Sequence, residues 1–212
     1  LLHAFKDKRY IKVGGKLFYI IYDPLNFEDV TQFMKTWRKL AKENGLNDFY
    51  FVGTDFDSRN KKKILSLGFD AIYNSDTFNI HHKCSNITKG IHMLKRKYLK
   101  MPTVFDYRKA TDYMVIDDCK NREVIPLIVP NWDHSPRSGA NAIILKNSKP
   151  AYFKRIAKFA MNIVKDKPEE EQIILIKSWN EWGEGNYMEP DLKYGRGYIH
   201  ALREAIEESS QR

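Results

Sequence analysis

Lys16-Leu17-Phe18-Tyr19-Ile20-Ile21-Tyr22-Asp23-Pro24 is the stretch that decides how the chain reads. Seven residues rich in β-formers, apolar on both faces, stop at an Asp-Pro pair, and that pattern is a buried strand. An amphipathic helix is expected next, from about Glu28 to Asn44. Val30, Phe33, Met34, Trp37, Leu40 and Ala41 recur there at helical spacing. Asn26 is the expected N-cap, Glu28 and Asp29 suit the positive end of the dipole, and Gly45 ends the helix.

The alternation repeats outward from this unit. Strands are expected at 48–53, 70–73, 123–129 and 172–179. Helices are expected at 61–67, 150–164 and 197–208. Phe153, Ile156, Ala157, Ala160 and Val164 form the inner face of the second of these helices. Tyr198, Leu202, Ala205 and Ile206 form that of the third. Strands followed by helices mean a parallel sheet covered by helices. Five such strands are legible. The excursion from Asn74 to Arg122 shows no clear strand and reads as two helices, near 87–99 and 107–115.

Composition narrows the class. The chain has 212 residues, 42% hydrophobic and 30% charged, which is globular. It has no run long and apolar enough for a membrane helix. The net charge is +9. The clusters Lys61–Lys63 and Lys95–Lys97 sit on helix flanks, so a solvated face is expected rather than a nucleic-acid partner. The two cysteines, Cys84 and Cys119, make no disulfide framework. With His81 and His82 they match no zinc spacing, and Asp55-Phe56-Asp57 lacks the later ligands of a calcium loop. GxGxxG, Walker and GxSxG patterns are absent, and neither a metal nor a cofactor is expected.

In a parallel β/α sheet, sites form where strands end. Tyr22-Asp23, Thr54-Asp55, Asn74 with Asp76, and Asn131-Trp132-Asp133-His134 with Arg137 stand at such ends. The densest is Trp179-Asn180-Glu181-Trp182-Gly183-Glu184-Gly185, continuing to Tyr187, Glu189 and Asp191. Tryptophan stacks on sugar rings, while Asn and carboxylates hydrogen-bond hydroxyls. Glu181 and Glu184 are three apart. In a tight turn that spacing puts both on one face, about 5–6 Å apart at Cβ, closer to the retaining than to the inverting separation of glycosidases.

The same stretch, with Glu189-Pro190-Asp191 and Tyr194-Gly195-Arg196-Gly197-Tyr198, resembles the C-terminal signature of the WbsX family. Asp7–Val13 with Gly15-Lys16, Trp37-Arg38 with Ala41 and Gly45, and Trp132-Asp133 with Pro136-Arg137 agree with it. The resemblance covers the whole chain. It implies a carbohydrate-active enzyme of bacterial surface polysaccharide assembly, a glycosyltransferase by family description, with a fold like glycoside hydrolase family 99, the endo-α-mannosidase group. It further implies a (β/α)8 TIM barrel, of which 1–212 would be the C-terminal portion of a single domain: the last five βα units, with a helical insertion near 75–122.

Carried over residue by residue, the resemblance makes Glu181 the base on the sugar's own 2-hydroxyl and Glu184 the acid/base. Tyr22, Asp23, Trp132, Asp133, Arg137, Trp179, Asn180, Trp182, Tyr187 and Glu189 would contact the glycan or sugar donor. Gly183 departs from the His common in the mannosidases. The alternative is a glycan-binding module without turnover. The expected location is cytoplasmic, any N-terminal signal lying outside this chain. With the N-terminal part of the barrel missing, the chain is expected to be poorly soluble or inactive alone.

Overall fold

The computed structural model describes residues 1–75 and 84–210. Asp76, His81 and His82, considered above, lie outside the described residues. Contacts divide the chain into two units. One takes the described residues within Leu1–Asp76, Asp118–Ile125 and Val164–Ile173. The other takes those within Thr77–Asp117, Pro126–Ile163 and Ile174–Arg212.

The first unit is built on β1 (Lys12–Val13), β2 (Lys16–Ile21), β3 (Phe49–Asp55), β4 (Ala71–Asn74) and β6 (Val124–Ile125), in that order across one sheet. β1 meets β2 antiparallel, and only through Lys16 and Leu17. The other pairings are parallel, as the strand and helix alternation requires. Every residue of the central β3 is buried, which is why its sequence shows no polar alternation.

α1 (Leu2–Lys6) precedes these strands, and α2 (Val30–Glu43) and α3 (Lys61–Ser66) run between them. α2 buries Val30, Met34 and Ala41 as expected, but Leu40 is exposed. Its N-cap is Asp29, not Asn26. Asn26 instead donates its side-chain amide to the Asp23 carboxylate, a side-chain pairing that takes it away from the helix start. Asp70 ties the unit together: its carboxylate accepts from Lys16 at 3.0 Å, Arg38 at 2.9 Å and the Phe51 backbone N–H at 2.9 Å. Lys61 pairs with Asp118 and Glu123, so one basic cluster is partly neutralised.

The second unit contains α4 (Asn86–Leu99), β5 (Thr103–Asp106), α5 (Tyr107–Ala110), β7 (Leu127–Ile128), β8 (Trp132–Asp133), α6 (Ser135–Ser138), β9 (Ile143–Lys146), α7 (Pro150–Val164), β10 (Leu175–Ile176), β11 (Asn180–Glu181), β12 (Asn186–Tyr187) and α8 (Gly197–Ser210). β5, β9 and β8 form one sheet, β7 and β10 a parallel pair, β11 and β12 a hairpin.

Three expectations need correcting here. The excursion after β4 does hold a strand, β5, paired parallel with β9, and neither was legible. The strand expected over 172–179 is regular only at Leu175–Ile176. In the 123–129 stretch Pro126 separates β6 from β7, because it has no N–H for a ladder. Its carbonyl still accepts from Leu175.

α7 buries Phe153, Ile156, Ala157, Ala160 and Val164, the whole expected face. On α8 Tyr198 and Ala205 are buried, but Ile206 is exposed and Ala201 takes an inner place. The Phe153 and Tyr198 rings meet edge to face at 5.8 Å. Lys154 and Lys158 of α7 both reach Glu208 of α8 at 2.6 Å. They hold its carboxyl at about 2, below the ordinary 4.5.

The stability linked to Glu208 is therefore present above pH 4.5 and lost as pH falls towards about 2. Glu208→Gln is expected to remove that part of the acid slope in a series of thermal melts. An unchanged slope would place α8 free of the two lysines.

Candidate active site

The site is assembled in the second unit, at the end of the β7 and β10 pair. Lys177 donates its backbone N–H to Ile128 just past β10, and the chain then enters the β11–β12 hairpin. Two pairings of that hairpin, Asn180 with Tyr187 and Glu181 with Asn186, bracket a 3-10 turn at Trp182–Glu184. Gly185 closes the turn at φ 51°, the left-handed region. A Cβ there would sit 2.9 Å from Asp133 Cβ and 3.0 Å from Asp133 N. Backbone conformation and lack of space both require glycine.

Three polar residues fix the hairpin. Asn131, nearly buried, accepts from Tyr187 N at 2.8 Å and donates to Tyr187 O at 3.3 Å, imitating a strand. Fully buried Asn186 accepts from Ser178 N through its side chain and from Ser178 Oγ through its carbonyl. Ser178 Oγ accepts in turn from Glu181 N.

The turn places both expected carboxylates on one face. Arg137, at the end of α6, donates from Nη2 to Glu181 Oε1 at 2.8 Å and from Nη1 to Glu184 Oε1 at 2.9 Å. The side chain of Glu184 is 14% exposed and that of Glu181 40%. Two further side chains approach only Glu184: the Lys177 ammonium, Nζ at 3.8 Å from Oε2, and the His134 ring, Nε2 at 3.6 Å from Oε1. Lys177 lies 4.6 Å above the Trp132 ring, a cation–π contact. His134 also lies over Trp132, at 5.7 Å, and its Nδ1 is 3.0 Å from Ser138 Oγ.

The expected sugar-contacting residues divide. Trp179 and Trp182 are about half exposed. Trp182 stacks on Tyr187 at 3.8 Å and donates Nε1 to Glu189 at 2.7 Å. The Tyr187 phenol is pushed above its ordinary pKa by burial first and by Asp191 next, which keeps it a neutral donor. Asn180 is exposed beside them. Trp132 is nearly buried under Lys177 and His134, and Asp133 accepts from Ser135 N and Oγ, closing the α6 loop. Both shape the site from beneath.

Tyr22 and Asp23 belong to the first unit. There Tyr22 meets Phe56 edge to face at 5.1 Å.

Sequence reading missed Lys177, Ser178 and Asn186 as site-forming residues. Only the density of polar residues around strand ends could have flagged them. Among the described residues no group of His, Cys, Asp and Glu is arranged to hold a metal.

A model of the family described as "Glycosyltransferase WbsX" matches residues 1–202. The chain belongs to the WbsX glycosyltransferase family. Two relatives from Xanthomonas campestris pv. campestris, each called "Uncharacterized protein WxcX", come from strains B100 and ATCC 33913. Both are 25% identical over 206 residues, which is 95% of this chain and 28% of theirs. The chain thus spans under a third of the length of these curated relatives. A solved structure titled "Glycoside hydrolase-like protein" superposes with a TM-score of 0.58 at 15% identity, over 96% of this chain and 57% of that one. At that identity the likeness is one of fold.

Gly185→Ala, in this WbsX-family chain, is expected to cost about 1–3 kcal/mol through the left-handed backbone and the crowding on Asp133. A denaturant melt within error of wild type would mean that the turn is not held as described.

Proposed function

We propose that the hairpin carries the reacting groups of a carbohydrate-active enzyme that makes or breaks a glycosidic bond with retention. The observation that supports this most is the convergence of Glu181 and Glu184 on one guanidinium, flanked by half-exposed tryptophans. In the proposed reaction Glu181 takes the proton of the sugar's 2-hydroxyl. The freed oxygen attacks the anomeric carbon, and the leaving oxygen takes a proton from Glu184. Glu184 then takes a proton from water or an acceptor hydroxyl, whose oxygen attacks the anomeric carbon and opens the strained ring, while the released 2-oxygen takes its proton back from Glu181. Arg137 holds the two carboxylates in register and gives way on one side when sugar enters. Trp179 and Trp182 offer stacking faces, and Glu189 holds the Trp182 ring in place.

The substrate proposed is a glycan or sugar donor of bacterial surface polysaccharide (lipopolysaccharide) assembly, handled in the cytoplasm. The five parallel strands are proposed to be the last units of a (β/α)8 barrel that residues 1–212 share with preceding βα units. Two edges support this. Among the described residues β10 pairs with β7 alone, and β2 is covered by β1 only at Lys16 and Leu17.

A second reading, glycan binding without turnover, is favoured by one feature: Arg137 occupies an oxygen of each carboxylate.

The test is turnover of the full-length protein on α-mannosides and surface-glycan acceptors. Glu181→Gln and Glu184→Gln, with unchanged melting, are each expected to lower kcat about 10²–10⁴-fold. Intact turnover in either variant contradicts the assignment. Calorimetric sugar binding with no product from wild type selects the second reading.

A further inference from the structure

α4 is packed unlike the other long helices. α2 buries Val30, Met34 and Ala41, and α8 buries Tyr198, Ala201 and Ala205, but α4 buries no residue along Asn86–Leu99. Its apolar residues are nonetheless periodic. Ile87, Ile91, Leu94 and Tyr98 follow at i, i+4, i+7 and i+11, a single stripe on a helix. They are 77%, 47%, 52% and 68% exposed. The helix meets its own unit on a different side, where His92 lies edge-on to Phe105 at 5.2 Å. That side is about 130° around the axis from the stripe. Among the described residues of its unit, the stripe faces away from the Phe105 side.

The charge on this helix is one-signed. From Asn86 to Met101 the sequence has Lys89, Lys95, Arg96, Lys97 and Lys100 and not one Asp or Glu. Lys95 and Lys97 flank the stripe at about 70–90° on either side. Lys97 Nζ lies 5.2 Å from the Tyr98 ring, so a cation and an aromatic ring stand together at the stripe's end. Fourteen residues make a rod of about 21 Å, too short for the ~30 Å hydrocarbon core of a bilayer. Among the described residues no helix is long and apolar enough to cross a membrane. An apolar stripe edged by lysines suits a helix lying in the headgroup layer, its methylenes dipping under the phosphates and its ammonium groups level with them. Nucleic acid would match the charge but would leave the stripe in water.

We propose that α4 docks the protein on the surface of an anionic lipid bilayer, with Ile87, Ile91, Leu94 and Tyr98 inserted and the lysines on the headgroup phosphates. Lipid binding is read without turnover, so this inference stands or falls apart from the sugar chemistry.

The test is sedimentation of the full chain with vesicles of phosphatidylcholine alone, or of phosphatidylcholine with about one-third phosphatidylglycerol. Binding is expected only to the anionic vesicles, weakening with salt. Replacing Lys95 and Lys97, the two that flank the stripe, together by Gln is expected to weaken partition about twenty-fivefold, from about fivefold per charge. Ile91→Asn with Leu94→Asn, both at exposed positions, is expected to abolish binding with unchanged melting. No sedimentation of wild type, or equal sedimentation with both vesicles, overturns the proposal.

Discussion

Two carboxylates three residues apart in one tight turn repel each other, and the Arg137 guanidinium is what lets them share a face. Its two terminal nitrogens take one oxygen from each, at 2.8 and 2.9 Å. A planar fork with fixed donors does this, where an ammonium would act as a single point charge. The arrangement constrains its surroundings closely. Gly183 is the residue between the acids that leaves room, since a Cβ there would approach Arg137 Nη2 to 3.3 Å and Glu181 Oε1 to 3.4 Å. A larger residue at 183 would press on the clamp itself. That gives physical content to the departure from the His of the mannosidases: here the space beside the acids belongs to Arg137.

The clamp works only if the turn and the arginine are each held still. Asn131 and Asn186 do this for the turn, with side-chain amides that replace missing strand partners. For the arginine it is the short α6 loop, closed by Asp133 accepting from Ser135. Gly185 packs against Asp133, so the loop that carries the cation and the turn that carries the acids touch directly. Exposed ion pairs contribute little to stability. The clamp's contribution is to position groups, and the buried amides supply the rigidity.

Sequence reading reached the parts that are local. β2, β3 and β4 were legible because each is an unbroken apolar run, although only β3 is buried along its whole length and Ile20 of β2 stays exposed, and α7 because its buried face repeats at helical spacing. The pairing of Glu181 with Glu184 was legible because three residues apart is a neighbouring position in any tight turn. What failed was non-local. β5 and β9 are four residues each and become strands only by finding one another across the chain. Lys177 and His134 become partners of Glu184 through tertiary contact, and no spacing announces that. Leu40 and Ile206 fit the periodicity and are exposed, because a pattern marks a face and not what covers it. α4 is the extreme case: its apolar face is regular and left exposed by the described residues of its own unit.

The chain belongs to the WbsX family, and its fold is like that of a glycoside hydrolase-like structure. The account depends on one guanidinium touching both acids. The most direct check is the nitrogen-15 spectrum of the Arg137 side chain in the full chain, recorded for wild type, Glu181→Gln and Glu184→Gln. Each variant alone is predicted to shift the Arg137 Nη resonances. If either substitution leaves them where they were, the two carboxylates do not share Arg137, and the account is wrong at its centre.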